Sequence, residues 1–274
     1  MNLSIWLLSI AGIFYAAAFL FYLLSFTDAW QGDKPAFVFM CLGFLTATFY
    51  LAEEAVGQGF FLPVTNLSQA LVFFAWSLAF VYLVLLVKAQ TESFSLILTP
   101  ILLLLIGGGL VSKSLGVHPA PPRPVFLNPY FILHIATAFF AYASFTLSFA
   151  AGILYLIQHH ELKAKRAGTF YHKLTSLEEL EKLIYQPLFW GTPLLAAAGA
   201  IGFVWSKSVF GQYWFFDPKT IATGITAVLY LAILYLRYVP SLRGKHGAIL
   251  SLVAFAFVVF SFVETRLLQG SHNF

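Results

Sequence analysis

The sequence predicts an all-α polytopic membrane protein, with about eight transmembrane helices in one bundle and both termini on the outer side. Three observations carry this. Charged residues fill only 9% of positions and hydrophobic ones 60%, where a soluble domain carries roughly 25% charged residues. Apolar runs of the length that crosses a hydrocarbon core, about 20 residues, recur along a chain whose mean hydropathy is +0.86. Lys and Arg collect in alternate connections, as they do when one side of the membrane is cytoplasmic.

The expected spans, in order, are Leu3–Ser25, Ala36–Leu51, Leu67–Val87, Phe94–Val111, Tyr130–Gln158, Leu188–Trp205, Ile221–Tyr238 and Ala248–Leu268. The second is short unless its helix carries Glu53 and Glu54. The fifth is long and must tilt or project from the membrane. The Pro-rich HPAPPRPVFLNP at 118–129 is a breaker between the fourth and fifth. No internal repeat or soluble domain interrupts the series, so 1–274 is expected as a single integral membrane domain. The first run is too long, and lacks the basic leader, for a cleavable signal.

Orientation follows from the connection HHELKAKRAGTFYHKLTSLEELEK, which holds Lys163, Lys165, Arg166, Lys173 and Lys182. With this segment inside, alternation also places Lys34, Lys88, Arg237, Arg243 and Lys245 inside. Outside are Lys113, Arg123, Lys207, Lys219 and Arg266. The excess of inner cations agrees with the positive-inside rule. Within this basic inner loop, at 159–187, Ser176 and Glu179 have capping-box spacing. Leu177, Leu180, Leu183 and Ile184 recur on one face, so a short helix on the inner membrane surface is expected.

Cys41 is the single cysteine. It excludes an internal disulfide, a Cys-x-x-Cys redox pair and a c-type haem attachment within the chain. The net charge of +4 reports loop sidedness, and no nucleic-acid partner is expected.

The outer side gathers the distinctive residues. VFGQYWFFDPKT at 209–220 packs Phe210, Tyr213, Trp214, Phe215 and Phe216 ahead of Asp217-Pro218, within an outer loop at 206–220. His134 lies near the outer start of span five and His272 just beyond span eight. A histidine within a span is costly and points to function, whereas His272 could equally be a solvated tail residue. The remaining histidines (His118, His159, His160, His172, His246) read as loop residues. The aromatics alone leave two accounts open: an interfacial belt, or a platform for something flat. Asp217-Pro218 suits a helix start, Asp as N-cap and Pro at the first position. Ala198 and Gly202 have small-xxx-small spacing, which permits close helix packing.

Phe210–Thr220 resembles the WWD motif, WGxYWxWDPKE, of the haem-handling membrane proteins of cytochrome c assembly. Gly211, Tyr213, Trp214, Asp217, Pro218 and Lys219 match it; Phe210 and Phe216 stand where it has tryptophan, and Thr220 where it has an acid. In that family the motif lies on the outer face between two histidines assigned as axial haem ligands. His134, in LHIATAFFAYASF, and His272, in LLQGSHNF, match those positions. PVTNLSQALVFFAW at 63–76 is similar to a family segment in which an acid is usual at the place of Gln69. LTSLEELEKLIYQPLFWGTPLL resembles the family's inner loop and following span. The resemblance covers roughly residues 40–274, and eight spans look like the CcsA (ResC) type, with HemX-like relatives also similar.

The resemblance implies haem b held by His134 and His272 at iron. It implies Tyr213, Trp214, Phe215 and Phe216 against the porphyrin, Asp217 ordering the loop, and Lys219 meeting a propionate. It further implies a multi-pass protein of the cytoplasmic membrane whose haem site faces the periplasm or outer side. There it would present haem to apocytochrome c beside a CcsB (ResB)-type membrane partner. Such a chain would be a subunit of a membrane cytochrome c synthase (haem lyase), with no catalytic residue of its own. A HemX-like regulator or haem sensor, or a transporter without a stable cofactor, are the alternatives. A b-type electron carrier would need paired histidines within the bundle, and only His134 lies within a span.

Overall fold

The computed structural model describes residues 3–27, 29, 34–59, 61–86, 92–115, 127–164, 175–211, 218–239 and 243–267. Its regular elements there are helices: α1 Leu3–Phe26, α2 Lys34–Gln58, α3 Leu67–Leu86, α4 Glu92–Ser114, α5 Pro129–Lys163, α6 Leu177–Phe210, α7 Pro218–Leu236 and α8 Lys245–Leu267. Six of them, α1 to α6, are long and apolar enough to cross a membrane. The described apolar parts of the last two, Thr220–Leu236 and Lys245–Phe260, are shorter. The protein is thus an all-α polytopic membrane protein, as its hydropathy predicts. The helices group into two compact units, 1–127 and 128–274.

The first unit is assembled by complementary stripes. Leu8, Ala11, Tyr15, Ala18 and Tyr22 are buried along α1, and Ala36, Met40, Gly43, Ala47 and Tyr50 along α2. This alternation of three and four residues keeps one face of each helix toward the other. Gly43 permits the closest approach, since a Cβ there would lie 2.9 Å from the Tyr15 ring. At one end of this unit four helix ends share a buried polar network. Glu54 is ion-paired with Lys113 and accepts from the amides of Gln69 at 2.7 Å and Gln58 at 3.0 Å. The Gln69 carbonyl oxygen in turn accepts from the Thr65 N–H at 2.9 Å. Lys113 also lies 5.2 Å above the Tyr50 ring. Ser4 of α1 donates to Glu53 at 2.5 Å. These partners explain why α2 continues past Leu51: a carboxylate in a membrane helix is tolerated when its charge and lone pairs are matched.

In the second unit α5 packs chiefly on α6 and also on α8, while α7 packs on α6 and α8. Gly191 of α6 seats Ser144 and Phe145 of α5. Phe145 also stacks on Tyr230 of α7, ring centroids 3.6 Å apart. Gly152 of α5 meets Ser251 and Leu252 of α8. These pairings make α6 and α8 antiparallel to α5, and α7 parallel to it.

One expectation is corrected. The segment 177–187 is not a separate surface helix: α6 runs unbroken from Leu177 to Phe210, through Pro187 and Pro193. The expected cap is present, the Ser176 side chain accepting from the Glu179 N–H at 3.3 Å. It starts a membrane helix rather than a surface one. Likewise 159–163, expected in the inner loop, form the last turn of α5.

Candidate functional site

α5 begins at Asn128, whose side chain accepts from the Tyr130 N–H at 2.9 Å, with Pro129 in the first turn. That cap fixes the helix start and sets His134 in the second turn. The imidazole does not face α5 alone. Its Nδ1 lies 2.7 Å from the carbonyl oxygen of Ala198 on α6. A carbonyl cannot donate, so Nδ1 carries the proton and the lone pair of the neutral ring sits on Nε2. The space for the ring comes from Gly202, where a Cβ would lie 2.9 Å from Nδ1. Trp205 lies nearly parallel to the imidazole, at 9° with centroids 6.2 Å apart, and Phe131 leans on Trp205 at 5.3 Å.

His134 lines a cleft of about 180 Å³ between α5, α6 and α7, with Trp205, Thr220, Thr223 and Gly224 along its walls. Gly199 and Gly224, also in its lining, face open space: a Cβ on either would meet nothing within 4 Å. The result is a cleft lined by Trp205, by small residues of α6 and α7, and by the imidazole. It is chemically suited to a flat apolar ligand that carries a metal.

The ends of the aromatic connection lie in the same region. Gly211 stops α6 in the left-handed conformation, φ 74°, its N–H bonded to the Lys207 carbonyl at 3.0 Å. Glycine takes this φ without the Cβ clash that other residues suffer, which gives the motif glycine a backbone role. α7 restarts at Pro218, as the Asp-Pro pair predicts. Asn128 reaches Ser208 in the last turn of α6 at 3.4 Å. Of the predicted site residues, His134 is placed in the cleft, and Lys219 lies in the first turn of α7. Tyr213, Trp214, Phe215, Phe216, Asp217 and His272 lie outside the described residues, His272 five positions beyond the last residue of α8. α8 runs antiparallel to α5, so it ends toward the His134 end of the unit.

The sequence reading missed Trp205 altogether and left Ala198 and Gly202 without a partner. Their small-xxx-small spacing was the available signal. The structure shows that it seats the histidine.

A half-buried imidazole held through Nδ1 by a backbone carbonyl, beside a cleft in a multi-pass helical protein, defines the class: a membrane protein with a candidate ligand site at one end of a helix unit. The chain belongs to the cytochrome c assembly protein family, whose model matches residues 64–272. It is 27% identical to Protein HemX of Bacillus subtilis (strain 168) over 271 residues, covering 96% of this chain and 95% of that one. It is 28% identical to Protein HemX of Brevibacillus brevis, over 94% of each chain. It is 28% identical to the cytochrome c biogenesis protein CcsA of Guillardia theta over 250 residues, 85% of this chain and 83% of that one.

Proposed function

We propose that this protein takes part in cytochrome c maturation by holding haem b at the outer face of the cytoplasmic membrane and presenting it to apocytochrome c. The observation that carries this is the bond from His134 Nδ1 to the Ala198 carbonyl. It sets the tautomer in which Nε2 would be the ligating nitrogen, and metal-bound histidines commonly donate their other N–H to such an acceptor. Membership of the cytochrome c assembly family supplies the biological setting. Haem, when bound, would supply iron for imidazole and vinyl groups to which cysteine thiols add.

The residues fit that group. At about 180 Å³ the cleft takes one edge of a porphyrin, since pockets that enclose whole cofactors run to roughly 300–1,000 Å³. Tyr213, Trp214, Phe215 and Phe216 would cover the rest of the porphyrin, and His272 would be the second iron ligand. Lys219, at the start of α7, would meet a propionate. The chain's own part is positional: the imidazole is held by backbone and glycine packing, and the aromatic wall keeps water from one face. A subunit working this way lowers the barrier by orientation and leaves the apocytochrome to a partner of the CcsB (ResB) type.

A second reading, a haem-binding regulator or sensor, is favoured by Phe210, Phe216 and Thr220, where the motif has two tryptophans and an acid. Loss of c-type cytochromes on deletion supports the first reading; normal levels support the second.

The test of the haem site is an absorption spectrum of the purified protein beside His134→Ala and His272→Ala. A Soret band that weakens or shifts in both variants is the expected result. A protein that stays colourless after haem is added overturns both readings.

A further inference from the structure

At the opposite end of the second unit, the first turns of α6, the end of α7 and the turn before α8 enclose a cleft of about 480 Å³. Tyr185, Arg237, Tyr238 and Arg243 line it, with Glu178, Glu181 and Lys182 from the first turns of α6. We propose that this cleft binds the phosphate of an anionic phospholipid headgroup, with Arg237 and Arg243 as its cationic ligands.

The two arginines are arranged as a pair. Arg243 donates from Nε to the Arg237 carbonyl at 2.5 Å, which joins the α7 end to the turn before α8. Among the described residues neither guanidinium has a carboxylate within ion-pair distance. Planar guanidinium groups without such a partner are suited to the oxygens of a phosphate. Glu178 does not compete, since Lys182 pairs with it at 2.8 Å. Glu181 is the one further carboxylate in the lining. Two guanidiniums and an ammonium against two carboxylates leave the cleft net positive.

Tyr185 lines the cleft and holds Arg237 over its ring. Its side chain is 2% exposed and its hydroxyl has no hydrogen-bond partner, while Arg237 lies 6.0 Å above its ring. The hydroxyl itself is turned away from the cleft toward the start of α8, and the ring is what the cleft meets. Gly247 makes the position possible, because a Cβ there would sit 2.3 Å from the Tyr185 hydroxyl. Gly244 does the same for Tyr155, at φ 66°. Both glycines belong to the start of α8, whose first N–H groups are without intrahelical acceptors and favour an anion nearby.

The lipid source is chosen by position. Along α5, at 1.5 Å per residue, Tyr155 is about 31 Å from His134, close to the roughly 30 Å of a hydrocarbon core. The cleft therefore lies at headgroup level on the other face from the His134 slot, the face on which the cations collect. Beside it, α6 exposes Phe189 and Trp190 and α7 exposes Leu231 and Tyr235. This is apolar and aromatic surface along which acyl chains would lie. The inference does not depend on haem.

The test is native mass spectrometry of the full chain with dioleoyl phosphatidylglycerol or dioleoyl phosphatidylcholine, with and without millimolar inorganic phosphate. Preferential retention of phosphatidylglycerol is expected, weakened about fivefold by removal of either arginine's charge in Arg237→Gln or Arg243→Gln. Tyr185→Phe, which removes only the hydroxyl turned away from the cleft, should leave it unchanged. Lys163→Gln, a nearby charge outside the cleft, should leave it unchanged. Equal retention of the two lipids overturns the proposal, as does a wild-type preference in both arginine variants. Displacement of phosphatidylglycerol by inorganic phosphate would show a free-phosphate site instead and also overturns it. The haem spectra of these variants should match the native one, so this site and the His134 site fail separately.

Discussion

His134 owes its position to what two other residues lack. Ala198 offers a backbone carbonyl that no bulky side chain shields, and Gly202 offers empty space in which the ring lies. Gly202→Ala tests this directly. The added methyl would stand 2.9 Å from Nδ1 and 3.0 Å from Cε1, so the ring must swing away from the Ala198 carbonyl. Helix propensity favours alanine over glycine by roughly 1 kcal/mol, so the variant should fold at least as stably. Its haem affinity should nevertheless fall about tenfold, the equivalent of about 1.4 kcal/mol of lost orientation. A haem titration followed at the Soret band, beside a thermal melt, reads both effects. Unchanged affinity with a normal melt would show that the Nδ1 bond does not orient the ligand nitrogen.

At the scale of the helices, hydropathy located every element but ended α2 and α5 too early and began α6 too late. The run after Leu51 meets two acids, and composition alone ends a membrane span there. The helix continues because Lys113, Gln58 and Gln69, from three places in the chain, converge on Glu54. Such convergence is a tertiary fact with no local signature. α6 fails in the opposite direction: LEELEK followed by Pro187 reads as a separate segment, since proline removes an N–H and crowds the preceding turn. In the fold Leu180, Leu183, Ile184 and Leu188 are buried on both sides of that proline, and burial holds the helix together where propensity would break it. The site divides in the same way. His134 and the Gly and Pro bracketing the aromatic stretch were legible from motif and turn chemistry, whereas Trp205, an ordinary tryptophan in an apolar run, was not. The Glu54 network is the element-scale prediction. Glu54→Ala leaves the half-buried Lys113 and Gln58 and the buried Gln69 without their acceptor and should destabilise the first unit by about 3 kcal/mol. Glu54→Leu combined with Lys113→Met should recover most of that loss, because no charge is left stranded. Melts of the three variants in detergent would measure it. A double variant no more stable than Glu54→Ala would show that the pair contributes more than matched charge.

Function at the scale of the whole molecule depends on which face each end of the second unit meets. The proposed assignment, with the His134 end outside, rests on charge, and the separation of the two ends rests on length. The cations of the inner connections outnumber the outer ones, and a cluster of Lys and Arg resists translocation. The His134 slot and the arginine cleft are separated along α5 by about one hydrocarbon thickness, so they cannot share an interface. The single native cysteine makes the assignment measurable, since Cys41→Ser removes it. On that background Ser208→Cys marks the last turn of α6, at the His134 end, and Lys163→Cys marks the last turn of α5, at the arginine end; both positions are exposed. A membrane-impermeant maleimide applied to intact cells should label the Ser208 position at once. It should reach the Lys163 position only after the membrane is opened. The reverse pattern would put the histidine slot on the cytoplasmic side, and haem held there could not be presented to a cytochrome outside. Labelling of both positions in intact cells would mean that α5 and α6 do not span the bilayer, and would remove the headgroup-level placement of the arginine cleft as well.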